Sequence, residues 1–228
     1  MIFAIENVVM KFDVVFWLRL FGYTSMVVLF VTGLLGSVRY RELPAGLRYL
    51  IWLVWFGLVV ELVGRAAYVR YHSNLWLTPI DAAGELWLLS LVYGWALKSA
   101  TFTRWRPWVA AGFVLYAGLS LALDFESTRF KPAVQVLESL LVLGMAGLYF
   151  RKLLNELQVP NLARDPLFWV SAGLVLYSIS KLLIALFSNY LLEHYSRQLS
   201  LTVWTVNGLL TIVLYLCYLR ALWLRPQR

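Results

Sequence analysis

Seven long apolar stretches occupy nearly the whole of this 228-residue chain. They span residues 14–38, 47–69, 75–97, 107–123, 133–150, 167–192 and 199–224. Each is long enough, or nearly so, to cross the roughly 30 Å hydrocarbon core of a bilayer at about 1.5 Å per residue. The pattern therefore predicts an all-α, polytopic membrane protein that forms one domain, residues 1–228, with no extramembrane domain of useful size.

Composition excludes the main alternatives to a membrane protein. Hydrophobic residues make up 61% of the chain and charged residues 14%, whereas soluble domains have about 45–50% and about 25%. The formal net charge of +8 could suggest nucleic-acid binding, but the basic residues form short clusters between the apolar stretches. Such clusters are typical of loops that face an anionic lipid surface, so the expected partner is the bilayer and not nucleic acid.

The distribution of Lys and Arg predicts an orientation. Twelve lie after the first, third and fifth stretches or in the C-terminal tail, and six lie on the opposite side. Because basic loops favour the cytoplasmic side, we expect the N-terminus outside and the C-terminus inside.

Ionisable residues inside the predicted spans are the candidates for function. Each costs roughly 2.5–3.5 kcal/mol at the centre of a membrane helix on insertion scales. Glu61 and Arg65 are four residues apart and can form an ion pair on one helix face. Asp81 and Glu85 share a face in the same way, so at least one must be protonated or paired with a cation. The candidate cations are Lys181, Arg65 and Arg19.

In the predicted orientation nearly all of these groups lie in the outer half of the membrane or near its middle. This asymmetry indicates a polar cavity that opens outward, although ion pairs and hydrogen bonds that merely hold the bundle together are the alternative. The candidate ligand-binding residues are Glu61, Arg65, Asp81, Glu85, Glu138, Lys181 and Asn207.

A weak internal repeat indicates the layout of the helices. An offset of 122 residues aligns Glu85 with Asn207 and Tyr93 with Tyr215. The alignment favours a 3+1+3 arrangement, with the fourth helix as a linker between two parallel three-helix units. Pro79 is the proline within a stretch, and a kink is expected there; the other prolines lie near stretch boundaries.

Signatures of catalysis and cofactor binding are sparse. The sequence contains neither G-x-S-x-G nor H-E-x-x-H, and its single cysteine, Cys217, cannot form a metal cluster. His72 and His194 fall in predicted outer loops. We therefore expect no metal site and no cofactor, and an enzyme is the less favoured class, although the two carboxylates of the third helix could act as acid and base on a lipid substrate.

Several segments resemble a family of small, functionally uncharacterised bacterial seven-helix membrane proteins. The resemblance rests on residues 166–177 (PLFWVSAGLVLY), residues 187–191 (FSNYL), Trp204, Asn207 and Tyr215, and the region of Asn74 and Glu85. It implies seven helices, a bacterial cytoplasmic (inner) membrane location and no particular activity. It further implies that Asn189, Glu85 and Asn207 belong to the family pattern and that Asp81 is a local variation.

Two functions from different classes fit these features best. The first is a receptor-like sensor module, in which the cavity binds a small cationic or amphipathic ligand and a separate cytoplasmic or membrane partner carries the signal. The second is a small-molecule or proton-coupled transporter of the 3+1+3 type, which would require a site near the midplane and a path to both sides.

Overall fold

The computed structural model describes residues 2–123, 132–156, 162–194 and 197–224. Seven α-helices cover most of these ranges: α1 (Ile2–Val38), α2 (Ala45–Tyr71), α3 (Thr78–Leu97), α4 (Ala100–Leu123), α5 (Pro132–Glu156), α6 (Pro166–His194) and α7 (Arg197–Trp223). Short 3-10 turns at Leu75–Leu77 and Leu162–Arg164 precede α3 and α6. All seven helices contain a segment long and apolar enough to cross a membrane, which confirms the predicted fold class and the number of spans.

Six of the helices form a closed ring. Neighbouring helices pack in the order α1, α2, α3, α5, α6 and α7, and α7 packs against α1 to close the ring. Helix α4 lies outside this ring, where it packs on α3 and contacts α5 only sparsely. The 3+1+3 repeat stays a prediction.

Two basic side chains join helix ends that are distant in sequence. Arg39, just after α1, donates hydrogen bonds to the carbonyl oxygens of Leu222 (2.9 Å) and Trp223 (2.6 Å) at the end of α7. Lys152 of α5 donates to the carbonyl oxygens of Ala96 (2.9 Å) and Leu97 (3.0 Å) at the end of α3. The last carbonyls of a helix have no partner within it, so each contact satisfies exposed acceptors. Helices α1, α3, α5 and α7 therefore end together, at what we call the basic end.

The positions of two prolines differ from the sequence prediction. Pro79 lies in the first turn of α3, where the missing N–H costs no hydrogen bond. Pro107, by contrast, lies inside α4, which begins at Ala100. Its ring removes the bond to the carbonyl of Thr103, so the kink is expected in α4 and not in α3. The prediction was wrong because Arg104 and Arg106 interrupt the apolar pattern, so the first two turns of α4 were not predicted as part of a helix.

The ring is filled with apolar side chains near the basic end. Leu47 and Leu50 of α2, Leu222 of α7 and Leu43 are each at most 1% exposed. Close helix contact there requires a small residue: a Cβ atom on Gly46 of α2 would lie 2.5 Å from Cε3 of Trp95 in α3. Glycine thus sets the spacing between α2 and α3.

We expect Gly46→Ala to lower the thermal stability of the detergent-purified protein. The Trp95 ring must shift to admit the methyl group, and such overpacking costs about 1–3 kcal/mol. Gly112→Ala in α4 is the matched control, since nothing lies within 4 Å of its added Cβ, and it should leave the melting temperature unchanged or slightly raised. Equal melting temperatures for the two variants would contradict the close packing of α2 on α3.

Candidate functional site

An ion-pair cluster joins three helices inside the ring. The ammonium of Lys181, on α6, lies 2.9 Å from both carboxylate oxygens of Glu138 on α5. It also lies 3.3 Å from Oε2 of Glu85 on α3. Glu138 is 1% exposed and Lys181 9% exposed. One buried cation therefore faces two carboxyl groups, as expected for intramembrane charges that must compensate one another.

A second ion pair lies on α2. Arg65 binds Oε1 of Glu61 at 2.9 Å, one helical turn away. The same guanidinium donates to the carbonyl oxygen of Gly22 on α1 and lies 4.9 Å from the centroid of the Tyr23 ring. The pairing confirms the interaction expected from the spacing of Glu61 and Arg65, and it also ties α2 to α1.

Between these two clusters lies a cavity of about 530 Å³. Every helix of the ring contributes to its wall. The lining comprises Ser25, Leu53, Phe56, Gly57, Val60, Glu61, Gly64, Arg65, Asn74, Leu75, Leu77, Thr78, Asp81, Glu85, Gln135, Tyr177, Trp204, Gly208, Thr211, Leu214, Tyr215 and Tyr218. Because the last turns of α2 and the first turns of α3 contribute, the cavity occupies the half of the bundle opposite the basic end.

The depth of the cavity follows from its lining on α7. The wall extends from Trp204 to Tyr218, which corresponds to roughly 21 Å at about 1.5 Å per residue. At the deep end the hydroxyl group of Tyr218 is buried and has no hydrogen-bond partner in the part of the chain that the structure describes. The hydroxyl groups of Tyr93 and Ser171, which are not among the lining residues, are 2.9 Å apart and link α3 to α6. The cavity therefore ends in a closed floor before it reaches the basic end.

Asp81 differs from the other carboxylates of the wall. It lies one turn from Glu85 on the same face of α3, yet it forms no hydrogen bond or ion pair within the described residues. Glu61 and Glu85, in contrast, each have a cation within 3.3 Å. Among the described residues, Asp81 is thus the carboxyl group of the cavity wall that has no ion-pair partner.

The structure brings together most of the residues expected from the sequence. Glu61, Arg65, Asp81 and Glu85 line the cavity, whereas Glu138 and Lys181 lie behind Glu85 and are not among the lining residues. Asn207 is also absent from the lining and accepts a hydrogen bond from Ser180 at 3.3 Å.

Two further polar residues of the sequence prediction lie elsewhere. Arg19 is exposed on α1, so it is not the cation that compensates Asp81 or Glu85. Asn189 falls outside the residues whose side chains are described. Of the three candidate cations, Lys181 is the one that pairs with Glu85.

Sequence reasoning missed the aromatic part of the wall. It consists of Phe56, Tyr177, Trp204, Tyr215 and Tyr218. A signal was present in α7, where positions 204, 208, 211, 215 and 218 recur at three- or four-residue intervals and so lie on one helix face. Only ionisable and amide side chains were considered as candidates from the sequence, so this aromatic stripe was not recognised as a cavity wall.

Comparison with known proteins finds no matching family model, no matching curated protein and no matching solved structure.

We expect Lys181→Met to be strongly destabilising, because it leaves two buried carboxyl groups without their cation. Removing one partner of a buried ion pair typically costs about 3–5 kcal/mol. Thermal unfolding in detergent should show a large fall in melting temperature, and a second change, Glu138→Leu, should recover part of the loss. Arg70→Met, at an exposed position of α2, serves as the control. A Lys181→Met melting temperature equal to that of the control would exclude a structural role for the cluster.

Proposed function

We propose that this protein is a receptor-like membrane sensor that binds a small organic cation in the central cavity. The observation that carries the proposal is the combination of an unpaired carboxylate, Asp81, with an aromatic wall inside a cavity of about 530 Å³. In our proposal the cavity opens to the outside of the cell, with the N-terminus outside and the basic end facing the cytoplasm of a bacterium. The signal then passes to a separate partner protein.

The charge of the site favours a cationic ligand. Four carboxyl groups lie in or directly behind the wall (Glu61, Asp81, Glu85 and Glu138), together with two basic groups, Arg65 and Lys181. A cationic ligand would reduce this acidic excess, whereas an anionic ligand would add to it. Charge inside a membrane bundle is costly unless it is compensated, and this cost favours a cation over an anion.

The aromatic residues favour an organic cation over a bare metal ion. Tyr177, Trp204 and Tyr215 line the same cavity as Asp81, and ammonium groups bind favourably to aromatic ring faces within about 6 Å of the centroid. Hard metal ions instead prefer several oxygen ligands, and the described residues contain no cluster of three or more His, Cys, Asp or Glu that could hold one.

The closed floor supports sensing over transport. Beneath Tyr218 the ring is filled by the apolar side chains of Leu47, Leu50 and Leu222, so a bound ligand has no polar path to the basic end. Helix α7 extends from the cavity wall to Arg39, which binds its last carbonyl oxygens. A small shift of α7 on ligand binding would alter this contact, and with it the basic surface that we propose as the docking site of the partner.

A transporter of the 3+1+3 type is the second candidate, because the ring has a suitable pattern. Helix α4 lies outside the ring. The ring contains two contacts between helices that are not consecutive in sequence, α3 with α5 and α7 with α1. In both, a basic side chain of one helix or its end binds the last carbonyl oxygens of the other, Lys152 at the end of α3 and Arg39 at the end of α7. Equivalent caps are expected if α1–α3 and α5–α7 are related units. The apolar floor counts against this function unless a second conformation opens it.

The ligand hypothesis predicts that the purified protein binds choline more tightly than its neutral carbon isostere, in which a tert-butyl group replaces the trimethylammonium. Asp81→Asn should weaken choline binding about tenfold, since a contact to a charged group contributes roughly 1.5–3 kcal/mol. Isothermal titration calorimetry would measure both affinities. Glu42→Gln, at an exposed carboxylate of the basic end, is the matched control.

Equal affinity for the cation and the isostere, or unchanged binding by Asp81→Asn, would contradict a cation site. The same holds if tetramethylammonium, choline and tetraethylammonium all fail to bind. An uptake assay in reconstituted liposomes then distinguishes the two functions. Uptake of the bound cation supports the transporter, and binding without uptake supports the sensor.

The proposed orientation predicts the accessibility of two single cysteines in a Cys217→Ser background. Ser73→Cys lies in the turn after α2, beside the cavity, and Thr101→Cys lies in the first turn of α4, at the basic end. A membrane-impermeant maleimide should label the first in intact cells and the second only after permeabilisation. The reverse pattern would show that the cavity opens to the cytoplasm.

A further inference from the structure

A second cavity lies on the outside of the ring, between the outlying helix α4 and the ring helices α3 and α5. Its volume is about 410 Å³. Most of its lining is apolar: Leu86, Ser90, Phe102, Trp105, Arg106, Val109, Ala110, Leu140, Leu141, Gly144, Met145 and Leu148. It exists because α4 packs on α3 and barely touches α5. Trp105, Val109, Leu140 and Leu148 are all exposed, so the cavity is a groove that opens sideways to the surrounding lipid.

The groove contains one charged group, Arg106. Its Cα atom lies six residues into α4, roughly 9 Å from the helix start at about 1.5 Å per residue. The guanidinium lies against Gly94 of α3, where an added Cβ would be 2.3 Å from Nη1. Gly94 is three residues before the end of α3. The side chain thus reaches back toward the basic end, as arginines in membrane helices do when they place their charge near the headgroups.

Arg106 has no anionic partner among the residues that the structure describes. It forms no ion pair or hydrogen bond within the described residues. The neighbouring basic groups add to its charge, since Lys98, Arg104 and Lys152 lie at the same end of α3, α4 and α5. This excess of positive charge favours an anion at the basic end of the groove, and the apolar lining favours an apolar chain along the rest of its length.

We propose that the groove between α4 and α5 binds an anionic phospholipid. The phosphate group contacts Arg106, and one acyl chain lies along Leu141, Gly144 and Leu148. Basic pockets between membrane helices are known to bind anionic headgroups in this way. A phospholipid supplies both the charge and the apolar length, whereas a second copy of this chain would bring the same basic end against Arg106 and leave it unpaired.

The test is native mass spectrometry of the detergent-purified protein with equimolar phosphatidylglycerol and phosphatidylcholine of identical chains. The wild type should retain one phosphatidylglycerol in preference. Arg106→Gln should lower that preference about fivefold, the effect of one basic side chain beside an anionic headgroup, and Arg106→Lys should restore most of it. Arg104→Gln, at an exposed position two residues away at the same end, is the matched control and should retain the preference.

A second variant tests the apolar part without changing charge. Nothing lies within 4 Å of a Cβ on Gly144. The phenyl group introduced by Gly144→Phe can therefore occupy the groove, and it should reduce the binding of both lipids. Equal effects of Arg106→Gln and Arg104→Gln, or full lipid binding by Gly144→Phe, would overturn the proposal. So would displacement of phosphatidylglycerol by inorganic phosphate alone, or a dimer cross-linked through α4 and α5 in place of bound lipid.

Discussion

The contact of Lys181 with Glu85 and Glu138 is the interaction on which the ring depends. Helices α3 and α5 are not consecutive, because α4 leaves the ring between them, so the chain itself does not hold this seam together. The single ammonium joins both helices to α6. Burying three ionisable groups costs free energy that only short contacts between them can offset. Sliding any of the three helices by one turn, about 5.4 Å, would separate the groups and lose these contacts. The cluster therefore fixes the register of half of the ring.

The same cluster determines the chemistry of the cavity. Lys181 contacts Glu85 and Glu138, and it makes no ion pair with Asp81, which lies one turn from Glu85 on α3. Arg65 contacts Glu61 and the backbone of Gly22. Within the described residues, Asp81 therefore has no basic group in direct contact. The ion pairs that join the helices thus leave Asp81 without a direct partner beside an aromatic wall. In our proposal, the paired charges stabilise the bundle and Asp81 binds the ligand.

The sequence was sufficient for the class of fold but not for the order of the helices. Length and hydropathy predicted seven spans, and four-residue spacing predicted the pair of Glu61 with Arg65. Sequence offered Lys181 as one of three possible partners for the carboxylates, and only the three-dimensional packing decided among them. The same limit applies to Asn207, which lies in α7 as predicted but binds Ser180 and does not line the cavity. The side of a helix that faces a cavity depends on its contacts with neighbouring helices, which the sequence alone does not give. Pro107 was misread because a proline within a helix resembles a helix start.

The floor of the cavity distinguishes the two candidate functions in physical terms. Transport would require Leu47, Leu50 and Leu222 to separate and admit water, and Leu222 is held in place through the bond of its carbonyl oxygen to Arg39. Opening the floor would therefore break the α7–α1 seam at the basic end, at the loss of both charge-assisted hydrogen bonds of Arg39. The proposed sensor would require much less, since a shift of α7 that only lengthens these bonds would already change the basic surface. The closed floor therefore supports our proposal of a sensor over that of a transporter.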